Sequence, residues 1–340
     1  METKNNYPDR MLELDVLRGL CALGVLLFHY TTFYKIYFLP KENPLFYMPW
    51  VPYRVQLFAM LSGFVILMII EKTISPLDFV VARFSRLYPC YFAAVIFISL
   101  LMIVFPLPNK EIITWPRFLG NLTMLQAWLG YWGVDRSFWF LTPEISFYFV
   151  VTLIFKFKKL NYIEAIGFLG LVFVVFNARY ASLGPLEIPA VVLLSRVLSF
   201  WHYFFAGILF YNLKSKGEAW YRHAGLALCF IVQNLISDDV YTILSFACCL
   251  LIFYLFIYGK LSWIIRKPLL FLGTISYSLF LIHQNMGCIV IFYLLKIGAN
   301  AWLLLIIPTI VAIVVATLMT YLIEKPAMKY IRDKYKARAC

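Results

Sequence analysis

This chain of 340 residues is short of charge. Only 14% of its residues are Asp, Glu, Lys or Arg, while 63% are hydrophobic. Soluble domains hold about a quarter charged and about half apolar residues, so an ordinary water-soluble enzyme is excluded. Cysteine is sparse and unpaired. There are seven, and Cys21, Cys229, Cys248, Cys249 and Cys288 lie inside apolar runs. An odd count without paired spacing argues against a disulfide framework and against a zinc site, and no metal is expected. No cleavable signal peptide is expected, because the first apolar run holds Arg18 and His29 and leads into aromatics, not into a small-residue cleavage site. There is neither an internal repeat nor a low-complexity tract. Acidic residues are outnumbered 17 to 30 by basic ones, for a net charge of +13. In a soluble chain that excess would suggest nucleic acid; in an apolar one it marks cytoplasmic loops, and no nucleic-acid partner is expected.

What is there is a series of apolar stretches, each long enough to cross a hydrocarbon core of about 30 Å. The mean hydropathy is +0.82. About ten spans can be read, at 14–34, 49–71, 88–106, 138–155, 161–178, 189–212, 223–237, 240–259, 269–295 and 301–323. The stretch at 223–237 is short and runs almost at once into Asp238 and Asp239. With both termini in the cytoplasm, every inner segment carries Lys or Arg, from Lys4 to the Lys325–Arg338 tail. The expected fold is therefore an all-α, polytopic transmembrane helical bundle forming one membrane-embedded domain over 1–340, with no appended soluble domain. The long segment 106–137, with Pro106, Pro108, Pro116, Trp115, Trp128 and Trp132, is expected outside, folded back over the membrane surface.

A few ionisable residues sit where lipid should be. An ionisable group at membrane depth costs roughly 2.5–3.5 kcal/mol on insertion scales, so each should face a partner or a polar cavity. In "LDVLRGLCALGVLLFHY", Asp15, Arg18 and His29 share one helix face, because eleven residues at about 100° each come close to three turns. Asp15 and Arg18 could be only a juxtamembrane pair. His29 is too deep for that, and imidazole is the side chain best suited to moving protons near neutral pH. "LFAMLSGFVI" places Ser62 beside Gly63, a pair that packing alone would explain. "RFSRLYP" places Arg83 and Arg86 three apart, suited either to phosphate or to simple retention at the inner surface. "FWFLTPEISFYFV" carries Trp139, Glu144 and Tyr148, and "FLGTISYSLFLIHQN" buries His283. His202 and His223 read as structural or interfacial. Glu187 and Glu324 read as placed by the interface.

Taken in order, these segments resemble an integral-membrane acyltransferase of the acyltransferase-3 family, whose members O-acylate surface polysaccharides and some small molecules. The resemblance is carried by Asp15, Arg18 and His29, then "LFAMLSGF", "RFSRLYP", "WFLTPEISFY", "YFFAGILF", "LGTISYSLFLIH" and "YLIEKPA". Phe140 departs from the small polar residue usual after the tryptophan. The resemblance implies acyl-CoA, commonly acetyl-CoA, as donor, with no metal cofactor. It implies a hydroxyl of a cell-envelope carbohydrate or lipid-linked glycan as acceptor, and a multi-pass location in a plasma membrane, the inner membrane in a bacterium. Arg18, Arg83 and Arg86 would hold the donor. His29 would act as general base or transient acyl carrier, with Glu144 and Asp15 assisting, and Ser62, Trp139, Tyr148 and His283 would lie along the substrate path. A proton-coupled multi-pass carrier of a carbohydrate or small organic molecule is the competing reading, since carriers also bury Arg, His and Glu. Carriers often show two related halves, which this sequence does not.

Overall fold

The computed structural model describes residues 11–38, 46, 55–108, 112–181 and 199–339. All regular elements among them are helical. Helix α1 (Leu12–Phe28) passes through a π-helical turn, His29–Phe33, into α2 (Tyr34–Phe38). Then come α3 (Val55–Ile70), α4 (Pro76–Val104), α5 (Trp115–Leu122) and α6 (Leu141–Lys156). A 3₁₀ turn, Arg136–Phe140, leads into α6. The chain continues through α7 (Ile163–Ala181), α8 (Trp201–Lys216), α9 (Trp220–Ile236) and α10 (Val240–Ile257). The last elements are α11 (Lys267–Lys296), α12 (Ala301–Met319), a second π turn at Thr320–Glu324, and α13 (Lys325–Ala339).

Among the described residues, six helical stretches are long and apolar enough to cross a membrane: Pro76–Val104, Arg136–Lys156, Leu160–Arg179, Val240–Ile257, Lys267–Lys296 and Ala301–Arg338. The expected span at 14–34 falls on the unbroken run from α1 through the π turn into α2, those at 49–71, 189–212 and 223–237 coincide with shorter helices, and residues 49–54 and 189–198 lie outside the described residues. Glu187 lies outside them too.

The start of α4 corrects the expected 88–106. Ser75 Oγ accepts from the Asp78 amide at 3.1 Å, and Asp78 Oδ2 accepts from the Ser75 amide at 3.1 Å, with Pro76 opening the helix. This capping box followed by proline is a strong helix start, and it brings Arg83 and Arg86 inside the helix. Asp239 likewise caps α10 through the amides of Tyr241 and Thr242, and Asn300 caps α12 through that of Leu303.

In lipid, helices associate by close van der Waals fit, and small residues set the approach. Two glycine crossings organise this bundle. α1 packs along α11, where a Cβ at Gly19 would overlap the Gly273 amide and one at Gly273 would overlap the Asp15 carbonyl. α3 packs along α8, where a Cβ at Gly63 would overlap the Phe204 carbonyl and one at Gly207 that of Met60. Around the first crossing gather α4, α12 and α13; around the second, α7, α9 and α10. α6 touches both α3 and α4 and bridges the two groups. Large apolar side chains point outward, among them Leu100, Phe173, Leu251 and Ile310, as a lipid-facing wall requires.

Candidate active site

The glycine crossing between α1 and α11 fixes a register. Gly19 meets Gly273, and His29 meets His283, each pair separated by 254 residues, so the two helices run parallel and in step. At the lower end of this seam is a cavity of about 590 Å³ including its open mouth. Arg18 enters it from α1, Arg83 and Arg86 from α4, Ser62 from α3, Glu144 and Tyr148 from α6, and Ser276 and Tyr277 from α11. Three guanidiniums therefore share the cavity with one carboxylate, Glu144. That carboxylate is held by hydroxyls: Ser62 donates to Oε1 at 2.9 Å and Tyr148 at 2.5 Å. Arg18 has Asp15 at 3.9 Å, at the α1–α11 crossing. Arg83 lies over the Tyr148 ring at 6.0 Å, and its buried Nε has no hydrogen-bond partner. A buried donor left unsatisfied costs about 1–3 kcal/mol, more when charged. Guanidiniums converging around such a donor suit a phosphate or carboxylate, which they can grip bidentately.

At the upper end, Nδ1 of His29 faces Nε2 of His283 at 2.7 Å. Nδ1 of His283 lies 3.0 Å from the Leu279 carbonyl oxygen and 2.8 Å from that of Phe280. Carbonyls only accept, so His283 carries its proton on Nδ1 and presents a lone pair at Nε2. His29 then donates from Nδ1, which puts its own lone pair on Nε2. The π turn beginning at His29 is part of this arrangement: one extra residue in a helical turn re-aims the side chains beyond it, and such turns recur at functional sites. Tyr30, buried against Gly287, donates to the His283 carbonyl at 2.8 Å.

Asp135, fully buried, was not singled out from the sequence. Its Oδ1 accepts from the Ser137 amide and its Oδ2 from the Asn285 amide, both at 2.9 Å, while Asn285 Nδ2 donates to the Val134 carbonyl at 3.0 Å. These bonds anchor the 3₁₀ turn before α6 to α11 just beyond His283. An aspartate two before a serine reads locally as a cap; nothing local shows that its second oxygen reaches a helix 150 residues away.

Three rings complete the lining of the arginine cavity. Phe58, Phe140 and Phe280 form a closed triangle with centroid distances of 5.8 Å (Phe58–Phe280), 6.2 Å (Phe140–Phe280) and 6.4 Å (Phe58–Phe140). Along α11, Ser276, Tyr277 and Phe280 lie in the cavity wall, and His283 follows one turn on.

The structure thus gathers Arg18, Arg83, Arg86, Ser62, Glu144 and Tyr148 in one cavity, with Asp15 at its edge. It sets His283, and not Glu144, against His29. Trp139 stands apart: 48% exposed, it lines a cleft with Thr142, Pro143, Tyr131 and Trp132 on the far side of Phe140. His202 is buried and bonded to Gln233 at 2.9 Å, and His223 lies between Glu218 and Tyr254, structural roles for both. Glu324, expected at the interface, is instead buried: its Oε2 accepts from Ser278 at 3.0 Å, and Ser278 accepts from Thr320 at 2.8 Å. The second π turn and the close packing of α12 on α11 carry it inward. Among the described residues no group of His, Cys, Asp and Glu has the makings of a metal site.

The architecture defines a membrane-embedded helical domain with two polar ends, and comparison supplies its family. The acyltransferase domain model matches residues 11–324, and the chain belongs to that family, acyltransferase-3. That membership favours acyl transfer over the carrier reading. The chain is also similar to "Protein 2 in picA locus" of Rhizobium radiobacter, 34% identical over 115 residues, or 31% of this chain. The chain spans about half the length of that curated relative, 55%. No solved structure matches the chain.

Proposed function

We propose that the protein moves a short acyl group, acetyl in the first instance, from acyl-CoA bound at the arginine end to a hydroxyl of a cell-envelope carbohydrate at the histidine end. One observation carries this reading. An anion-binding cavity and an imidazole whose lone pair is set on Nε2 lie at opposite ends of one helix seam. The cavity suits the phosphates of coenzyme A: Arg83 and Arg86 grip them, and Arg18, deeper along α1, orients the arm that bears the thioester. Glu144, fixed by Ser62 and Tyr148, offsets the mutual repulsion of the guanidiniums. At the other end, His29 Nε2 takes the acceptor's hydroxyl proton as that oxygen attacks the thioester carbonyl carbon. The C–O bond forms and the C–S bond breaks. The leaving sulfur keeps the electron pair and receives the proton from His29. His283 holds the imidazole in the tautomer that this requires. Trp139 and its cleft, on the side of Phe140 away from the arginines, suit a sugar ring, which stacks well on an exposed indole.

In this reading the arginine end faces the cytoplasm of a cell whose plasma membrane holds the protein. Sealed vesicles of the two orientations, given labelled acetyl-CoA outside, test it. Label should reach envelope carbohydrate only where the α1 N-terminus and the Lys325–Ala339 helix face the added donor. Equal labelling in both orientations, or none in either, would overturn the proposal.

A further inference from the structure

The cleft beside Trp139 has a second half. Trp132, Gly133 and Trp139 line both halves. One opens toward Tyr131, Thr142 and Phe200. The other, about 820 Å³ including its open mouth, is completed by Arg117 and Arg136. Two indoles and two guanidiniums thus share one space, and among the described residues no carboxylate lines either half.

The two cations are placed by different means. Arg117, on α5, reaches the segment that leads to α6. Its Nη2 donates to the Gly133 carbonyl at 2.7 Å and its Nε to the Trp132 carbonyl at 3.3 Å. Asn121, one turn on, donates to that same Trp132 carbonyl at 3.0 Å and accepts from the Val134 amide at 2.9 Å. Helix α5 therefore fixes the backbone that carries the Trp132 indole into the cleft. Arg136 follows Asp135, whose carboxylate is turned inward to the Ser137 and Asn285 amides. Arg136 itself is exposed, and its guanidinium lies over the Tyr37 ring at 5.0 Å. Among the described residues it has no hydrogen-bond or ion-pair partner, so its five donors stay available to a ligand.

This cation stands close to the chemistry. His29 and Phe33 have ring centroids 5.0 Å apart, Phe33 and Tyr37 have theirs 4.5 Å apart, and Arg136 covers Tyr37. A group gripped by Arg136 is three ring contacts from the imidazole, a reach that a short oligosaccharide spans. Guanidiniums hold carboxylate and phosphate bidentately. A neutral glycan would leave both of them without that contact.

We infer that the acceptor is an anionic glycan, whose carboxylate or phosphate is held by Arg136 and Arg117 while a neighbouring sugar ring stacks on Trp139. This rests on the acyl-transfer reading above and narrows its acceptor. The negative charge belongs either to an acidic sugar or to the phosphate of a lipid carrier, and the experiment separates the two.

Membranes containing the full chain are given labelled acetyl-CoA and envelope carbohydrate from the cells that make the protein. The labelled glycan is run on an anion exchanger before and after mild acid, which releases a lipid phosphate and leaves a sugar carboxylate in place. Label should be retained before the treatment. Retention that survives acid assigns the charge to an acidic sugar, and retention lost with acid assigns it to the lipid carrier. Arg136→Gln should raise the acceptor KM roughly ten-fold or more, with coenzyme A binding unchanged as the check on folding. Arg136→Lys keeps the charge without the planar fork and should fall between; it carries the test if the glutamine variant loses coenzyme A binding. Label that passes through the exchanger from the start overturns the anionic acceptor alone. So does an acceptor KM that neither variant changes, which would leave Arg136 an anchor for phospholipid headgroups. No labelled glycan from the wild type overturns the transfer reading and this inference together.

Discussion

Nδ1 of His29 and Nε2 of His283 lie 2.7 Å apart across two helices held in register by a glycine crossing. Because two backbone carbonyls fix the proton of His283 on Nδ1, the pair has a direction, and His29 is left basic at Nε2. A general base contributes about 10²–10⁴-fold. His29→Gln keeps a hydrogen-bonding group but cannot take a proton, so acyl transfer should fall at least about 10²-fold with coenzyme A binding intact. His283→Leu removes the acceptor but not the base. It should lower kcat with little change in donor KM and shift the pH–rate profile. Transfer by His29→Gln near the wild-type rate would leave the pair a purely structural contact.

Arg83→Ala and Arg86→Ala test the other end. A hydrogen bond to a charged group is worth about 1.5–3 kcal/mol net, so each variant should weaken coenzyme A binding roughly ten-fold or more. Thermal stability in detergent should hold or rise slightly for Arg83→Ala, because its buried Nε has no partner in the protein. Isothermal titration on purified variants reads both effects. Unchanged affinity in the double variant would reduce the pair to a marker of membrane orientation.

The α3–α8 crossing predicts a loss without chemistry. Gly63→Ala places a methyl on the Phe204 carbonyl, and Gly207→Ala places one on that of Met60. Overpacking typically costs about 1–3 kcal/mol. Each variant should melt earlier, and the aromatic triangle should loosen because Phe58 shares α3. Gly217→Ala, in open space but at φ +88°, should destabilise through backbone strain alone.

Outside the spans, Glu218 offers a pH test. Its carboxyl is held below the ordinary value of 4.5, first by the hydrogen bond with His223 and then by that from Tyr258. A lowered carboxyl stabilises the fold in its charged form. The contribution is complete above the unfolded value and fades as pH falls through the lowered folded one. Glu218→Gln should therefore melt earlier than wild type near neutral pH, and the gap should close as pH drops below about 4.5. A gap that stays constant with pH would assign the difference to packing.

Helices, and the residues that converge on the arginine cavity, could be read from the sequence because both obey local rules. Apolar length marks a span, and an ionisable residue within one must find company. Arg18 and Glu144 announced themselves in this way, and Arg83 and Arg86 by their spacing in "RFSRLYP". The capping box at Ser75–Asp78, in "SPLD", is a local signal that a reading by apolar length passes over, and it moves the start of α4 well before the apolar run. The partnership of His29 with His283, the reach of Asp135 to Asn285 and the inward turn of Glu324 were not readable. Each depends on which helices become neighbours, and two of them depend on π turns that no residue pattern marks.

The register between α1 and α11 also has a consequence for how the protein is made. His29 and His283 are 254 residues apart in the chain. At about 5–20 residues per second, synthesis takes roughly 12–50 seconds to bring the second after the first. Through that interval α1 is already made, with Asp15, Arg18 and His29 on it and their eventual neighbour helix not yet emerged. A nascent chain stalled before Lys267 can hold the Gly63–Gly207 crossing complete and still have no seam for the imidazole to face. Competence arrives near the end of translation, when the first helix meets one of the last.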